Sequence, residues 1–295
     1  MTPQVLTSIA PLRDRVAEAR RTGLAVGLVP TMGALHAGHL RLIEQARLEC
    51  GCVVVSIFVN PLQFDRKDDL DRYPRPLQAD VAVCASSGVN IIFAPTVEEM
   101  YPEEAECTVD LGPIADHLCG RYRPGHFRGM ATVVLKLLQI VQPDRAYFGE
   151  KDAQQLAVIR HLARDFNVPV SIEGVPTVRD TDGVALSSRN QGLSPEERVL
   201  ARSLYRALSE AERHIAAGER DSQRVTEAAG LLLPQDDRLR LEYLEVVDPK
   251  NLQTVDRIEG PALVAGALWI GSTRLIDNLL CSPSAMSAVA TPSGN

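Results

Sequence analysis

Two histidines three positions apart, in His36-Ala37-Gly38-His39, are the residues of this chain best placed for phosphate chemistry. They follow an apolar run, 24–30, through Pro30-Thr31-Met32-Gly33-Ala34-Leu35, and they open a stretch with helical spacing. Positions three apart share a helix face, so both imidazoles can address one ligand. Gly38 lets a large group approach the backbone, and a helix start adds free N–H donors and a positive dipole end. Phosphate oxygens fit that combination. A zinc half-site is the other chemistry for such a pair, but it needs further ligands nearby, and no HExxH is present. By average composition HxGH arises by chance in about one chain in a hundred of this length. The P-loop signature GxxxxGK[ST] and the dinucleotide fingerprint GxGxxG are both absent from the sequence.

Other stretches carry groups of the same kind. In Asn60-Pro61-Leu62-Gln63-Phe64, Gln63 closes a second apolar run. Its amide both donates and accepts, which suits a substrate with a hydroxyl and a carboxylate. Gly149-Glu150-Lys151-Asp152, then Gln154-Gln155, repeats the strand–glycine–helix transition, with Lys151 a point charge for phosphate. Alone, that run would read as a solvated turn. Val184-Ala185-Leu186-Ser187-Ser188-Arg189-Asn190 puts two hydroxyls and an arginine in a glycine-flanked loop able to close over phosphates. In isolation it would pass for a polar linker. The basic lead-in Arg121-Tyr122-Arg123-Pro124-Gly125-His126-Phe127-Arg128-Gly129 offers Arg123 as a second anion contact.

These groups need elements to hold them. Apolar runs at 24–30, 52–60, 89–94, 145–148 and 168–174 predict strands, and 7–21, 38–49, 77–86, 130–141 and 153–166 predict helices. Their alternation implies crossovers and a parallel sheet covered on both faces, a doubly wound α/β domain over 1–176. HxGH then falls where such sheets bind ligands, at the carboxyl edge. Beyond that the order changes. Ser194-Pro195-Glu196-Glu197 has the pattern of a capped helix start, a second helix follows at 222–232, and strands follow at 239–247, 262–270 and 274–280. That predicts a smaller α+β domain over 177–281, acting as a lid. The tail 282–295 has no charged side chain and is expected to be disordered.

Composition narrows the classes. With 295 residues, 45% hydrophobic and 23% charged, the chain can bury a full core, which excludes disorder over most of its length. Lys and Arg number 31 against 38 Asp and Glu, a net charge of −7, which disfavours nucleic acid as partner. No apolar run reaches the ~20 residues of a membrane span, and no signal-peptide pattern is present. No membrane association is expected, and the location expected is cytoplasmic. Cys50, Cys52, Cys84, Cys107, Cys119 and Cys281 form no CxxC and read as reduced thiols.

Taken together, PTMGALHAGH, VSIFVNPLQF, DLDRYPR, RPGHFRGM, FGEKDAQQL, LSSRN and EYLEVVD, in that order, resemble the pantothenate synthetases. These pantoate–β-alanine ligases belong to the HxGH nucleotidyltransferases, and the resemblance runs from about residue 5 to 280. It implies a Rossmann-like domain with a smaller C-terminal domain, a homodimer, and small-molecule substrates only. It implies a reaction in which pantoate attacks the α-phosphorus of ATP, Mg²⁺ sits on the phosphates, and β-alanine then displaces AMP from pantoyl adenylate. By motif, Met32, Gly33, Ala34, Leu35, His36, Ala37, Gly38 and His39 form the ATP loop, with His39 as proton donor. Gly149, Glu150, Lys151, Asp152, Val178, Leu186, Ser187, Ser188 and Arg189 contact ATP; His36, His39, Lys151 and Arg189 are the catalytic group. Gln63 and Gln155 hold pantoate, Gln63 also lies near β-alanine, and Asn60 and Arg123 are further candidates for that pocket. Leu186 stands where many relatives have Met, and Asp65-Arg66-Lys67-Asp68 lacks a Gly-Pro common there. A related adenylyltransferase acting on a phosphorylated acceptor would need more cations than these two glutamines provide. A regulator without catalysis would not need the intact His36, His39, Lys151, Ser187, Ser188 and Arg189.

Overall fold

The apolar runs of the first two-thirds become strands of one sheet. The computed structural model describes residues 2–103 and 106–283. All of the expected tail except Ser282 and Pro283 lies outside the described residues. Two compact units divide the chain, Met1–Ser194 and Pro195–Asn295.

In the first unit the elements are β1 (Gln4–Leu6), α1 (Ile9–Arg21), β2 (Val26–Thr31), α2 (Ala37–Glu49), β3 (Cys52–Ile57), α3 (Lys67–Arg72), α4 (Leu77–Ser86), β4 (Ile91–Phe93), α5 (Val97–Met100), α6 (Cys119–Tyr122), α7 (His126–Val141), β5 (Arg145–Gly149), α8 (Ala153–Asp165) and β6 (Ser171–Val175). The six strands are all parallel, in the order β1-β4-β3-β2-β5-β6. Both faces are covered, which is why Val53, Val54 and Val55 are all buried in succession. From β2 the chain steps outward to β3 and β4, then returns to β5 on the other side of β2. The carboxyl ends of β2 and β5 therefore flank the switch point, where the connections leave in opposite directions.

Several boundaries differ from the sequence reading. β3 stops at Ile57, and a 3-10 turn at Pro61–Gln63 follows, so Gln63 sits beyond the strand and not at its end. α7 begins at His126, ahead of the expected 130, because Gly125 turns the chain at φ +80. β6 opens at Ser171 and not at 168. β1, α3, α5 and α6 are too short to show a period in the sequence.

The second unit contains α9 (Pro195–Ala216), α10 (Ser222–Gly230), β7 (Leu239–Val247), β8 (Ala262–Ile270) and β9 (Thr273–Cys281). Its strands form an antiparallel sheet in the order β7-β8-β9, with α9 packed on β8 and β9. Gly266 lets Leu204 close on the sheet, since a Cβ there would lie 2.8 Å from that side chain. Glu242 is buried in a pair with Arg274 and accepts from Trp269 Nε1 at 2.9 Å.

Candidate active site

The switch point opens into a cavity lined by residues of the first unit. One side is the start of α2. His36 is the N-cap, and its Nδ1 accepts from the Gly38 N–H at 3.1 Å. His39 Nδ1 accepts in turn from the His36 N–H at 3.3 Å. The imidazoles thus form the reciprocal cap that helices usually build from Ser or Thr and Glu. Their ring centroids are 4.1 Å apart.

That cap fixes their chemistry. A ring nitrogen that accepts from a backbone N–H carries no proton, so each neutral ring holds its proton on Nε2 and presents a donor. Burial, helped by His36 and Lys151, lowers the His39 pKa to about 3. Burial and then Lys151 lower that of His36, against an opposing pull from Asp152. The pair is a set of neutral donors. Gly38 lines the cavity, but the space a side chain would need there is taken by the His36 ring, 2.8 Å from an ideal Cβ.

Met32, Gly149, Lys151 and Asp152 line the same cavity, as do Val178, Leu186, Ser187, Ser188 and Arg189. The Lys151 amine lies 3.9 Å from the Asp152 carboxylate. The loop carrying the hydroxyls is folded on itself: the Leu186 N–H donates to Val178 O at 2.9 Å, and the Arg189 N–H to Ser187 Oγ at 3.3 Å. Arg189 reaches Asp69 of α3 at 3.4 Å. Gly33, Ala34, Leu35, Ala37 and Glu150 are not among the lining residues.

Gln63 and Gln155 both line the cavity beside an apolar wall from α7, Met130, Val133, Val134 and Leu137. Gln63 Nε2 donates to Met32 Sδ at 3.1 Å. The neighbours of each glutamine do different work. Gln154 is buried and holds backbone, accepting from the Cys119 N–H at 3.0 Å and donating to His117 O at 2.7 Å. Asn60 does not line the cavity and is 1% exposed. It caps the Pro61–Gln63 turn, donates to Gly129 O at 3.0 Å and accepts from Tyr101 at 3.0 Å.

Arg123 lines the cavity while paired with Asp65 at 3.1 Å. It also donates to His126 Nε2 at 3.2 Å, which leaves the His126 proton on Nδ1, bonded to Gln63 O at 2.7 Å. Burial, with Arg123 second, lowers the His126 pKa to about 4.

The family model for pantoate-beta-alanine ligase matches residues 4–280. The chain belongs to the pantoate-beta-alanine ligase family. It is 51% identical over 280 residues to pantothenate synthetase 1 of Bradyrhizobium diazoefficiens, covering 95% of this chain and 98% of that one. The crystal structure of pantothenate synthetase from Thermus thermophilus is 46% identical, covers 95% of this chain and 100% of its own, and superposes with a TM-score of 0.90. Pantoate-beta-alanine ligase from Francisella tularensis, complexed with beta-gamma ATP and beta-alanine, is 35% identical with a TM-score of 0.77, covering 94% and 97%. The chain spans about half the length of the bifunctional pantoate ligase/cytidylate kinases it also matches.

For a pantoate ligase, four further residues belong to this site. Tyr73 lines the cavity beside Ser188, its pKa raised by burial against a hydrogen bond from that serine. His126 holds the Gln63 carbonyl, and Gly129 permits that turn to touch α7, since a Cβ there would lie 2.0 Å from Leu62 O. Asp80 is a buried carboxylate in the first turn of α4. Tyr73 stands in the DLDRYPR stretch and His126 and Gly129 in RPGHFRGM, whereas the signal at Asp80 is an acid inside a run otherwise rich in Ala and Val.

Proposed function

We propose that this chain joins pantoate to β-alanine, with ATP cleaved to AMP and diphosphate through pantoyl adenylate. The observation that carries this is one cavity holding a neutral imidazole pair and Lys151 together with two glutamines under an apolar wall. The first set suits a triphosphate; the second suits a branched hydroxy acid, whose methyls need apolar contact and whose hydroxyl and carboxylate need amides.

In the first step a pantoate carboxylate oxygen bonds to the α-phosphorus, and the bond from that phosphorus to the bridging oxygen breaks. Charge gathers on the departing diphosphate. His36 and His39 stabilise it through Nε2–H, with Lys151 and Arg189 as cations. Gln63 and Gln155 hold pantoate in line, and Arg123 is a second anion contact. In the second step the β-alanine amine attacks the acyl carbon, the carbon–oxygen bond to AMP breaks, and the amine releases its proton. No enzyme nucleophile takes part, because the substrate carboxylate is the nucleophile.

Among the described residues no group of three or more His, Cys, Asp or Glu could hold a metal. Mg²⁺ fits this site as an ion carried on ATP phosphates, with Asp152 the carboxylate at hand. When bound it neutralises phosphate charge. The reading includes a homodimer, which sedimentation checks.

AMP release measured with each substrate omitted tests the proposal. Sustained AMP formation should require ATP, pantoate and β-alanine together. Turnover that continues without β-alanine, or yields ADP, would contradict it.

A further inference from the structure

We propose that Asp80 is a positioning residue for adenylation, an internal anion that fills the backbone nest of the nucleotide loop and so fixes the imidazole pair. The loop takes two consecutive left-handed residues, Gly33 at φ +83 and Ala34 at φ 51. Ala34 is the unusual one, since side chains other than glycine rarely stay in that region without being held. What holds it is Asp80, whose Oδ2 accepts from the Ala34 N–H at 2.9 Å and whose Oδ1 accepts from the Leu35 N–H at 2.8 Å. The carboxylate is 2% exposed and comes from α4, far along the chain.

Successive N–H groups in this conformation form a nest that attracts anions, in many nucleotide sites a phosphate. Here the protein's own carboxylate occupies it. The Gly33 N–H is likewise taken, by Thr31 Oγ1 at 3.1 Å, and the Thr31 hydroxyl donates to Ser56 O at 2.7 Å. No loop donor before α2 is then left for substrate from Gly33 to Leu35. Phosphate is directed onward to the start of α2, where His36 and His39 present Nε2–H. His36 follows Leu35 directly, so a shift in the clamped pair moves both rings. Gly33 belongs to the same arrangement, because a Cβ there would lie 2.9 Å from Asp80 Oδ2.

This inference rests on the reading that the loop addresses ATP, and pantoate-dependent exchange of labelled pyrophosphate into ATP separates the two. If the wild-type protein shows no exchange, the functional reading fails. Asp80→Asn keeps the shape but sets an NH₂ group against one of the two N–H donors. It should fold, as judged by circular dichroism and melting, and lose about 10²-fold in exchange kcat, the scale of an ångström-sized misplacement. The KM for pantoate, held by other loops, should stay within about twofold. Asp80→Ala should lose as much and regain part of it with formate, which can enter the vacated nest. An Asp80→Asn enzyme with wild-type kcat would overturn the proposal. So would a loss that merely follows the folded fraction, or failure of both variants to fold, since either makes Asp80 a structural residue only.

Discussion

His36 and His39 spend their Nδ1 atoms on backbone N–H groups, and that use decides what they can do to a substrate. A protonated ring would set two N–H groups against each other, so the cap and the charge are mutually exclusive. His39, with its pKa lowered to about 3 from 6.5, is neutral over the whole physiological range. The kcat/KM for pantoate at saturating Mg²⁺ and ATP should therefore show no acid limb near pH 6.5. An inflection there would mean that a charged imidazole is refused or required in this site. The sign for stability follows from the same shift. Between pH 6.5 and about 3 the unfolded chain binds protons that the folded His39 does not. The stabilisation is full above pH 6.5 and is lost as pH falls, so the melting temperature of His39→Gln should depend less on pH in that range than that of wild type. His39→Ala should lower turnover ~10²–10⁴-fold, as removal of a positioned donor does, while the fold survives. Near-normal turnover in that variant would remove His39 from the mechanism.

At the scale of elements, the site depends on a 3-10 turn wedged against a helix. Gly129 of α7 touches Leu62 O where a Cβ would lie 2.0 Å away, so Gly129→Ala must push the Gln63 turn off the helix. A backbone atom cannot rotate aside. We expect a loss of roughly 1–3 kcal/mol in stability and a larger KM for pantoate, measured by denaturant unfolding and by exchange kinetics. An alanine variant with unchanged KM would show that the turn does not place Gln63. This junction was invisible in the sequence, whereas β2, β3 and β5 were plain there, for a physical reason. A strand buried on both faces needs a nearly continuous apolar run, and Val26–Thr31 and Cys52–Ile57 supply one, broken only at Thr31 and Ser56. The first turn of α7 has Phe127 as its one large apolar residue, and its start depends on the left-handed Gly125, so periodicity places the helix late. Side-chain direction was equally hidden. Gln154 and Gln155 are neighbours, yet one holds backbone and the other lines the cavity. Asn60 and Gln63 divide in the same way, and only the turn between them decides which lines the cavity.

For the whole molecule, the residues proposed for the nucleotide and for the acid line one cavity at the switch point, so on the proposed reading both substrates of adenylation meet in the first unit. HxGH could be placed there from sequence because alternating elements fix the edge where loops converge. The loop clamp at Asp80 could not, since it joins positions 34 and 80 through a fold that must first exist. The central claim is that pantoate's own carboxylate is the nucleophile at phosphorus, with no covalent enzyme intermediate. Ser187 fits that claim, its hydroxyl oxygen already accepting from the Arg189 N–H. The most direct measurement follows a heavy-oxygen label from the pantoate carboxylate through one complete reaction. Attack by that oxygen leaves it on phosphorus when the amine breaks the acyl bond, so the label should appear in AMP. AMP free of the label would contradict the mechanism.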